Sequence, residues 1–179
     1  MNGITFTAHI SEFWYYRDFV KPTIERFFEV HGRLYLQDDN TTRYRAYSKR
    51  LVDLLILMGI PCGKRYDADI PEVVRKSGFV VAFIRGIYHA EGSVYRRYSK
   101  RYPYHARLYS NLLVVQIRMK LKTLMSQLRE ELLGLGILVN RLLAKDGVYT
   151  LRITRQDMIQ KFMDVVRPRY KTSPHPTTL

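Results

Sequence analysis

The chain has 179 residues, 46% hydrophobic and 26% charged, with a net charge of +14 and a pI near 10.0. That composition builds a folded core and excludes a disordered body. A single cysteine, Cys62, excludes a disulfide framework or a cysteine-based zinc site within one chain.

The length suits one large domain or two small pseudo-repeated halves. The cationic excess predicts a polyanionic partner, with nucleic acid first and an anionic membrane surface second. The five histidines (His9, His31, His89, His105, His175) have no helical ligand spacing, so they suggest no zinc site. Glu12 and Arg17 lie close behind a short N-terminal strand, which is not a signal peptide. The most apolar run, Leu54 to Ile60, is too short to span a bilayer. The expectation is a soluble cytoplasmic protein with access to DNA.

Ile4 to Ile10 alternates and is rich in β-branched and aromatic residues, which predicts a strand. From Glu12 to Val30 the apolar residues Phe13, Tyr16, Val20, Ile24 and Phe27 follow helical spacing. Pro22 falls inside that pattern and predicts a break or restart, with His31-Gly32 as the end. Two short strands follow, Leu34 to Gln37 and Arg43 to Tyr47, around the turn signal Asp38-Asp39-Asn40. Ser48 reads as the N-cap of a helix over Leu51 to Met58, closed by Gly59.

Pro71 to Ala90 is the next helical region, interrupted at Gly78, so that the main helix starts near Phe79. Tyr95 to Arg101 and Arg107 to Ile117 read as strands joined by Tyr102-Pro103-Tyr104. Lys122 to Leu135 is an amphipathic helix ended at Gly134 or Gly136. Leu138 to Leu143 and Val148 to Ile153 form a hairpin around Lys145-Asp146-Gly147. Thr154 starts the last helix, Met158 to Val166, and the Pro-, Ser- and Thr-rich tail from Arg167 to Leu179 is expected to be mobile.

This order repeats. From Ile4, and again from Arg107, the chain reads strand, helix, two strands, helix. The segment from Arg43 (RYRAYSKRLVDLL) resembles that from Tyr149 (YTLRITRQDMIQKF), a weak internal repeat at a spacing of about 106 residues with a Ser or Thr cap before each last helix. The domain expectation is a first half over 1–70, a second over 71–166 and a tail over 167–179.

The central segment Phe79 to Gly92 (FVVAFIRGIYHAEG) carries Ala82, Gly86 and Ala90 at intervals of four. This stripe of small residues lets a second helix approach closely, although an ordinary core helix can carry the same residues. Glu91 sits at the helix C-terminus, where the macrodipole disfavours an anion by roughly 0.3–1 kcal/mol. Arg96 or Arg97 could offset it structurally; a divalent cation could do so functionally.

No acidic residue occurs between Gly92 and Arg129, while Arg96, Arg97, Lys100, Arg101, Arg107, Arg118, Lys120 and Lys122 do. Tyr95, Tyr98, Tyr102, Tyr104 and Tyr109 interleave with them. Such a run is often just a solvated basic face. Without a balancing acid over this length, a basic, aromatic two-stranded ribbon suited to a nucleic-acid groove is the better reading. Arg43, Arg45, Gln116, Arg152 and Arg155 complete the candidate contacts.

The motif FIRGIYHAEGSV, Phe83 to Val94, resembles the LAGLIDADG motif of homing endonucleases and intron maturases, and the archaeal intron-encoded members most. The resemblance extends from about Ile4 to Val166. It implies an α+β fold of pseudo-repeated αββαββα halves with antiparallel DNA-binding saddle sheets. It also implies motif helices paired through Ala82, Gly86, Ala90 and Gly92, and Mg²⁺ held by Glu91 with the Ala90 carbonyl. A basic residue assists the chemistry, by position Lys120 with Lys122 as the alternative.

Two-motif members carry a further motif helix ahead of the first repeat. Carried back by the repeat spacing, the partner of Glu91 falls about 16 residues before Met1, so the first half is expected to be N-terminally incomplete. A longer natural protein, a homodimer through the Phe79–Gly92 helix, or an inactive relative that still binds DNA would each explain this. The implied function is a Mg²⁺-dependent, intron-encoded endonuclease acting on a long double-stranded DNA site. The alternative is a non-catalytic DNA-binding protein or RNA maturase of the same fold. A membrane-surface protein ranks last, because the basic residues cluster on strand-like sequence rather than on one amphipathic helix.

Overall fold

A computed structural model describes residues 3–60, 68–99 and 107–168; for 97–99 and 107–111 it describes the backbone alone. The chain divides into two compact units, Met1–Cys62 and Gly63–Leu179. No described helix is long and apolar enough to cross a membrane.

In the first unit, β1 (Gly3–His9) runs into a 3-10 turn (Ile10–Glu12), the short helix α1 (Phe13–Tyr15), a π-helical turn (Tyr16–Val20) and helix α2 (Lys21–Phe28). The proline effect predicted at Pro22 takes the form of that wide turn, with Pro22 in the first positions of α2. Proline donates no N–H and its ring crowds the carbonyl four residues back, so the helix widens without stopping. The helix ends earlier than His31-Gly32, at Glu29, whose φ is +53°. Gly32 instead belongs to β2 (Gly32–Leu36), where a Cβ would collide with the Tyr44 ring.

Strand β3 (Thr41–Tyr47) lies between β1 and β2, antiparallel to both. Its period-2 pattern sends Thr42, Tyr44 and Ala46 inward; the intervening Arg43 and Arg45, and Tyr47, face outward. Tyr16, Tyr44 and Ala46 form the core, joined by Ile4, Val20, Ile24 and Leu34. The Asp38–Asn40 turn is built as expected: Asp39 accepts from the Thr41 N–H at 3.1 Å, and Asn40 takes φ +58°. Ser48 caps α3 (Lys49–Leu57), its Oγ accepting from the Leu51 N–H at 3.1 Å.

In the second unit, α4 (Glu72–Lys76) stops at Gly78 (φ +72°) and α5 (Val80–Glu91) follows. Then come β4 (Gly92–Ser99), β5 (Arg107–Met119), α6 (Lys122–Gly134), β6 (Leu143–Lys145), β7 (Val148–Ile153) and α7 (Gln156–Val166). The antiparallel sheet has the order β4-β5-β7-β6. Strand β4 starts directly out of α5, three residues before the predicted Tyr95. Arg101, the Tyr102–Tyr104 turn and the tail beyond residue 168 lie outside the described residues.

Ile84 and Tyr88 from α5, Val115 and Ile117 from β5, and Ile159, Phe162 and Val166 from α7 meet in one core with α6. Tyr88 and Phe162 pack edge-on with ring centroids 5.2 Å apart. Arg85 Nε donates to the Val166 carbonyl at 2.5 Å, satisfying an orphan acceptor at the end of α7. Gln127 on α6 accepts from the Ile70 N–H at 2.7 Å and donates to Asp69, while Arg75 pairs with Glu131. These contacts tie the segment before α5 to α6.

The repeat is present in the topology. β5-β7-β6 reproduces β1-β3-β2, with α7 in the place of α3. The alignment read from sequence is one residue out. Matching inward-facing Tyr44 with inward-facing Leu151 pairs Arg45 with Arg152 and Ser48 with Arg155. A one-residue slip reverses every side chain of a strand. It also corrects Thr154: the N-cap of α7 is Arg155, with no side-chain cap bond, and Thr154 Oγ1 bonds Asn140 Oδ1 at 3.3 Å.

The predicted strand Leu138–Leu143 survives only as β6. Upstream of it the chain is held by single bonds, from the Asn140 N–H to the Arg152 carbonyl at 2.8 Å and from the Leu138 N–H to Met158 Sδ at 3.2 Å. The Asp146-Gly147 turn forms as predicted, with φ +51° and +72°.

Candidate metal and nucleic-acid site

Helix α5 fixes the position of Glu91. Ile84 and Tyr88 bury one side of the helix, and Ala82, Gly86 and Ala90 lie exposed on another. A Cβ on Gly86 would have nothing within 4 Å. Gly92 differs from the other predicted helix-packing residues: it is buried beneath the Tyr88 ring and its N–H bonds the Tyr88 carbonyl, ending the helix. The chain turns extended there, at φ −93° and ψ 162°, leaving the Glu91 carboxylate exposed at the helix mouth.

Glu91 shares one recess, of about 610 Å³, with Ala90, Ser93, Gln116, Arg118 and Lys120. Gln116 and Arg118 come from the outer face of β5, since Val115, Ile117 and Met119 take its inward positions, and Lys120 follows directly after the strand. Gln116 is fixed: its Oε1 accepts from Arg152 Nε at 2.9 Å and from Tyr95 Oη at 3.4 Å. Both bonds use the carbonyl oxygen, so the amide NH₂ keeps its donors for the recess. Arg118 and Lys120 are exposed.

Among the described residues no cation lies within ion-pair distance of Glu91, so of the two structural offsets named, Arg96 does not make one and the Arg97 side chain lies outside the described residues. An anion at the negative end of the helix macrodipole is an environment suited to a cation. Among the described residues no cluster of three or more His, Cys, Asp or Glu could form an all-protein cage.

The other predicted contact residues separate into groups. Lys122 is exposed at the start of α6, outside the lining of this recess. Arg155 is engaged with Asp157, Nε to Oδ1 at 3.1 Å; that guanidinium holds the Asp157 carboxyl below its usual range. Arg96 is exposed on β4 beside a register shift between Arg96 and Arg97. The side chains of Arg97 and Arg107, and Lys100 and Arg101 altogether, lie outside the described residues.

Arg43 and Arg45 are on the outer face of the first unit's sheet, where a second recess of about 750 Å³ is lined by His31, Arg33, Tyr35, Arg45 and Tyr47. Sequence reasoning passed over Arg33, Tyr35 and Tyr47. The available signal was alternation: Arg33 and Tyr35 flank inward Leu34 on β2, just as Arg43 and Arg45 flank Tyr44 on β3.

A helix ending in one exposed acid feeds a basic antiparallel sheet whose β5-β7-β6 order repeats the earlier β1-β3-β2. Residues 78–167 match the model of the LAGLIDADG-like domain, and the chain belongs to that family. Solved structures share the fold. A mesophilic variant of the homing endonuclease I-DmoI has a TM-score of 0.64 at 20% identity, covering 92% of this chain and 80% of that one. The N-terminal LAGLIDADG domain of DUF199/WhiA has 0.58 at 16%, covering 94% and 74%. The LAGLIDADG meganuclease I-AabMI, bound to uncleaved DNA, has 0.57 at 15%, covering 90% and 73%. No curated protein matches the sequence.

Proposed function

We propose that this protein is a site-specific double-strand DNA homing endonuclease, of the intron-encoded kind, that hydrolyses phosphodiester bonds with Mg²⁺ held at Glu91. The observation that carries the proposal is the shared recess of Glu91, Gln116, Arg118 and Lys120 at the end of α5. Structures of I-DmoI with its target DNA and Mg, with DNA and Mn, and with DNA and Ca support a divalent ion in such a fold.

The residues fit that ion. Mg²⁺ is held by one or two carboxylates together with substrate phosphates and keeps several waters. Glu91 offers one carboxylate and Ala90 one carbonyl at the C-terminal end of α5. When bound, the metal supplies a Lewis acid and an activated water. This chain's own residues do the rest. Lys120 and Arg118 offset the charge of an incoming phosphate, Lys122 being the alternative to Lys120. The Gln116 amide, pinned by Arg152 and Tyr95, presents N–H donors to a phosphate oxygen or a water. The outer faces of the two sheets bind the duplex through Arg43, Arg45, Arg96 and their neighbours, with residues 1–70 and 71–166 acting as the two halves.

Cutting both strands takes two such acids. The exposed Ala82-Gly86-Ala90 face suits close approach of a second helix of this type, and in a homodimer a second copy supplies it.

The test is Glu91→Gln against a duplex library, with Ca²⁺ for binding and Mg²⁺ for cleavage. Loss of cleavage with a Kd within about threefold of wild type is the expected result. Binding without cleavage by the wild-type chain at any site would make it a binder instead.

A further inference from the structure

We propose that the first unit presents a docking face, made of the β1 edge and the apolar side of α3, for a helix–strand segment of a different polypeptide. The partner's chemistry is that of α5 and β4: a helix with apolar residues at intervals of four, a glycine, and an extended strand. The proposal goes beyond the endonuclease reading and does not rest on it. The face lies on the inner side and edge of the sheet, away from the outer side assigned to the duplex.

The chain's own two units supply the comparison. With Tyr44 matched to Leu151, strand pairing matches Phe6 to Ile117 and Ile4 to Val115. The same alignment matches Val52 and Leu55 of α3 to Ile159 and Phe162 of α7. In the second unit all four positions are buried, sharing one core with Ile84 and Tyr88 of α5. No described helix of the first unit corresponds to α5. Phe6 is accordingly 38% exposed where Ile117 is 2%, and Ile4, Val52 and Leu55 are only half-buried. Ile56, Leu57 and Met58 continue the exposed apolar surface along α3, and such a patch marks a contact site.

The strand edges point the same way. β4 covers one edge of β5, with Gly92–Arg96 paired to Leu113–Ile117. β1, the counterpart of β5, has no described strand on that side. Free edges are ordinarily guarded by charge or proline. The other edge strands follow that rule: β2 carries Arg33, β4 carries Arg96 and Arg97, and β6 carries Lys145. β1 (GITFTAH) has no Lys, Arg, Asp, Glu or Pro. An uncharged edge beside an open apolar side suits the addition of a strand together with its helix.

Counting identifies the source. Each chain has two such sheets and one α5–β4 segment. A second copy brings another open face and only the segment that its own second unit uses. The homodimer proposed above pairs the Ala82-Gly86-Ala90 side of α5 and leaves this face uncovered. Residues 61–67, 100–106 and 169–179 carry no apolar helical repeat in their sequence. The occupant is therefore another polypeptide.

The probe is a synthetic peptide with the sequence of residues 79–99, added to the full chain and followed by calorimetry and amide hydrogen exchange. A one-to-one complex is expected, with exchange slowed over β1 and α3 and unchanged over β2. Ile84→Asp with Tyr88→Asp in the peptide should weaken binding about tenfold or more, since both apolar side chains are then lost. These changes are made in the peptide, so the fold of the protein is untouched. A peptide ending at residue 91, without the strand, should also bind more weakly. No complex at about 100 µM peptide, or equal binding by the substituted peptide, would overturn the proposal. Slowed exchange over β5 and α7 instead would show exchange into the second unit and would overturn it too. Self-association of the chain alone that protects β1 and α3 would assign the face to a second copy, against the proposal.

Discussion

Gly92 ends α5 directly beneath the ring of Tyr88, and a Cβ built on it would lie 2.3 Å from Tyr88 Cδ2 and 2.6 Å from the Tyr88 carbonyl oxygen. The φ of Gly92 is −93°, so contact and not backbone conformation demands glycine here. Tyr88 cannot yield, because it is fully buried against Phe162. Gly92→Ala should therefore lower stability by about 1–3 kcal/mol, as overpacking does, and should displace Glu91. Urea unfolding measures the first effect. A variant as stable as wild type would mean that the helix end is loosely packed.

Gly86 makes the opposite case on the same helix. Nothing stands within 4 Å of its missing Cβ, and glycine in a helix interior costs about 0.5–1 kcal/mol relative to alanine. Gly86→Ala should stabilise the chain by roughly that amount in urea. If a second helix docks on this face, the same methyl group should weaken self-association several-fold, measured by sedimentation of the two proteins across a concentration series. Stabilisation with unchanged association would separate this face from pairing.

Much of this architecture was legible because local chemistry and tertiary packing agree. Ser48 caps, Asp146-Gly147 turns and Gly78 interrupts where the sequence indicates. The weak points are those where a non-local contact decides. Thr154 looks like a cap, yet its hydroxyl bonds Asn140 and the repeat is one residue out of step. Leu138 to Leu143 reads as the first strand of the hairpin around Lys145-Asp146-Gly147, yet the chain from Leu138 to Asn140 is held by Met158 and the Arg152 carbonyl instead of a ladder. Motif and position point to Glu91 and Lys120, and the fold brings both to one recess. Gln116 as a residue fixed by Arg152 and Tyr95 could not be found that way, because the bonds that orient it cross three strands. Arg33 opposite Arg45 likewise requires the register of β2 on β3.

Arg118 is exposed beside Glu91 and is expected to meet a phosphate. Duplex affinity should fall with salt on a log–log plot, and Arg118→Gln should reduce the slope by about 0.9, one released counterion. Arg155→Gln should change it less, because that guanidinium is already engaged with Asp157. Titrations at several potassium chloride concentrations check both. Equal slopes for all three proteins would remove Arg118 from the DNA-binding surface.

The last prediction concerns alkaline pH. Burial pushes the Tyr88 phenol from its ordinary 10.0 up to about 12, while Tyr44 and Tyr16 are raised by burial and then by nearby Glu25 and Glu12 respectively. A folded-state pKa above the unfolded value means that the native state holds its proton more tightly. That contribution is fully present below pH 10 and is lost as pH rises from 10 toward 12. Stability should accordingly decline over that window. Tyr88→Phe, which keeps the ring against Phe162 and removes the ionising group, should make the decline shallower. Urea midpoints from pH 8 to pH 11.5 measure it. A decline of the same steepness in wild type and variant would mean that Tyr88 ionises freely in the folded protein, and that the core at the end of α5 is open to water.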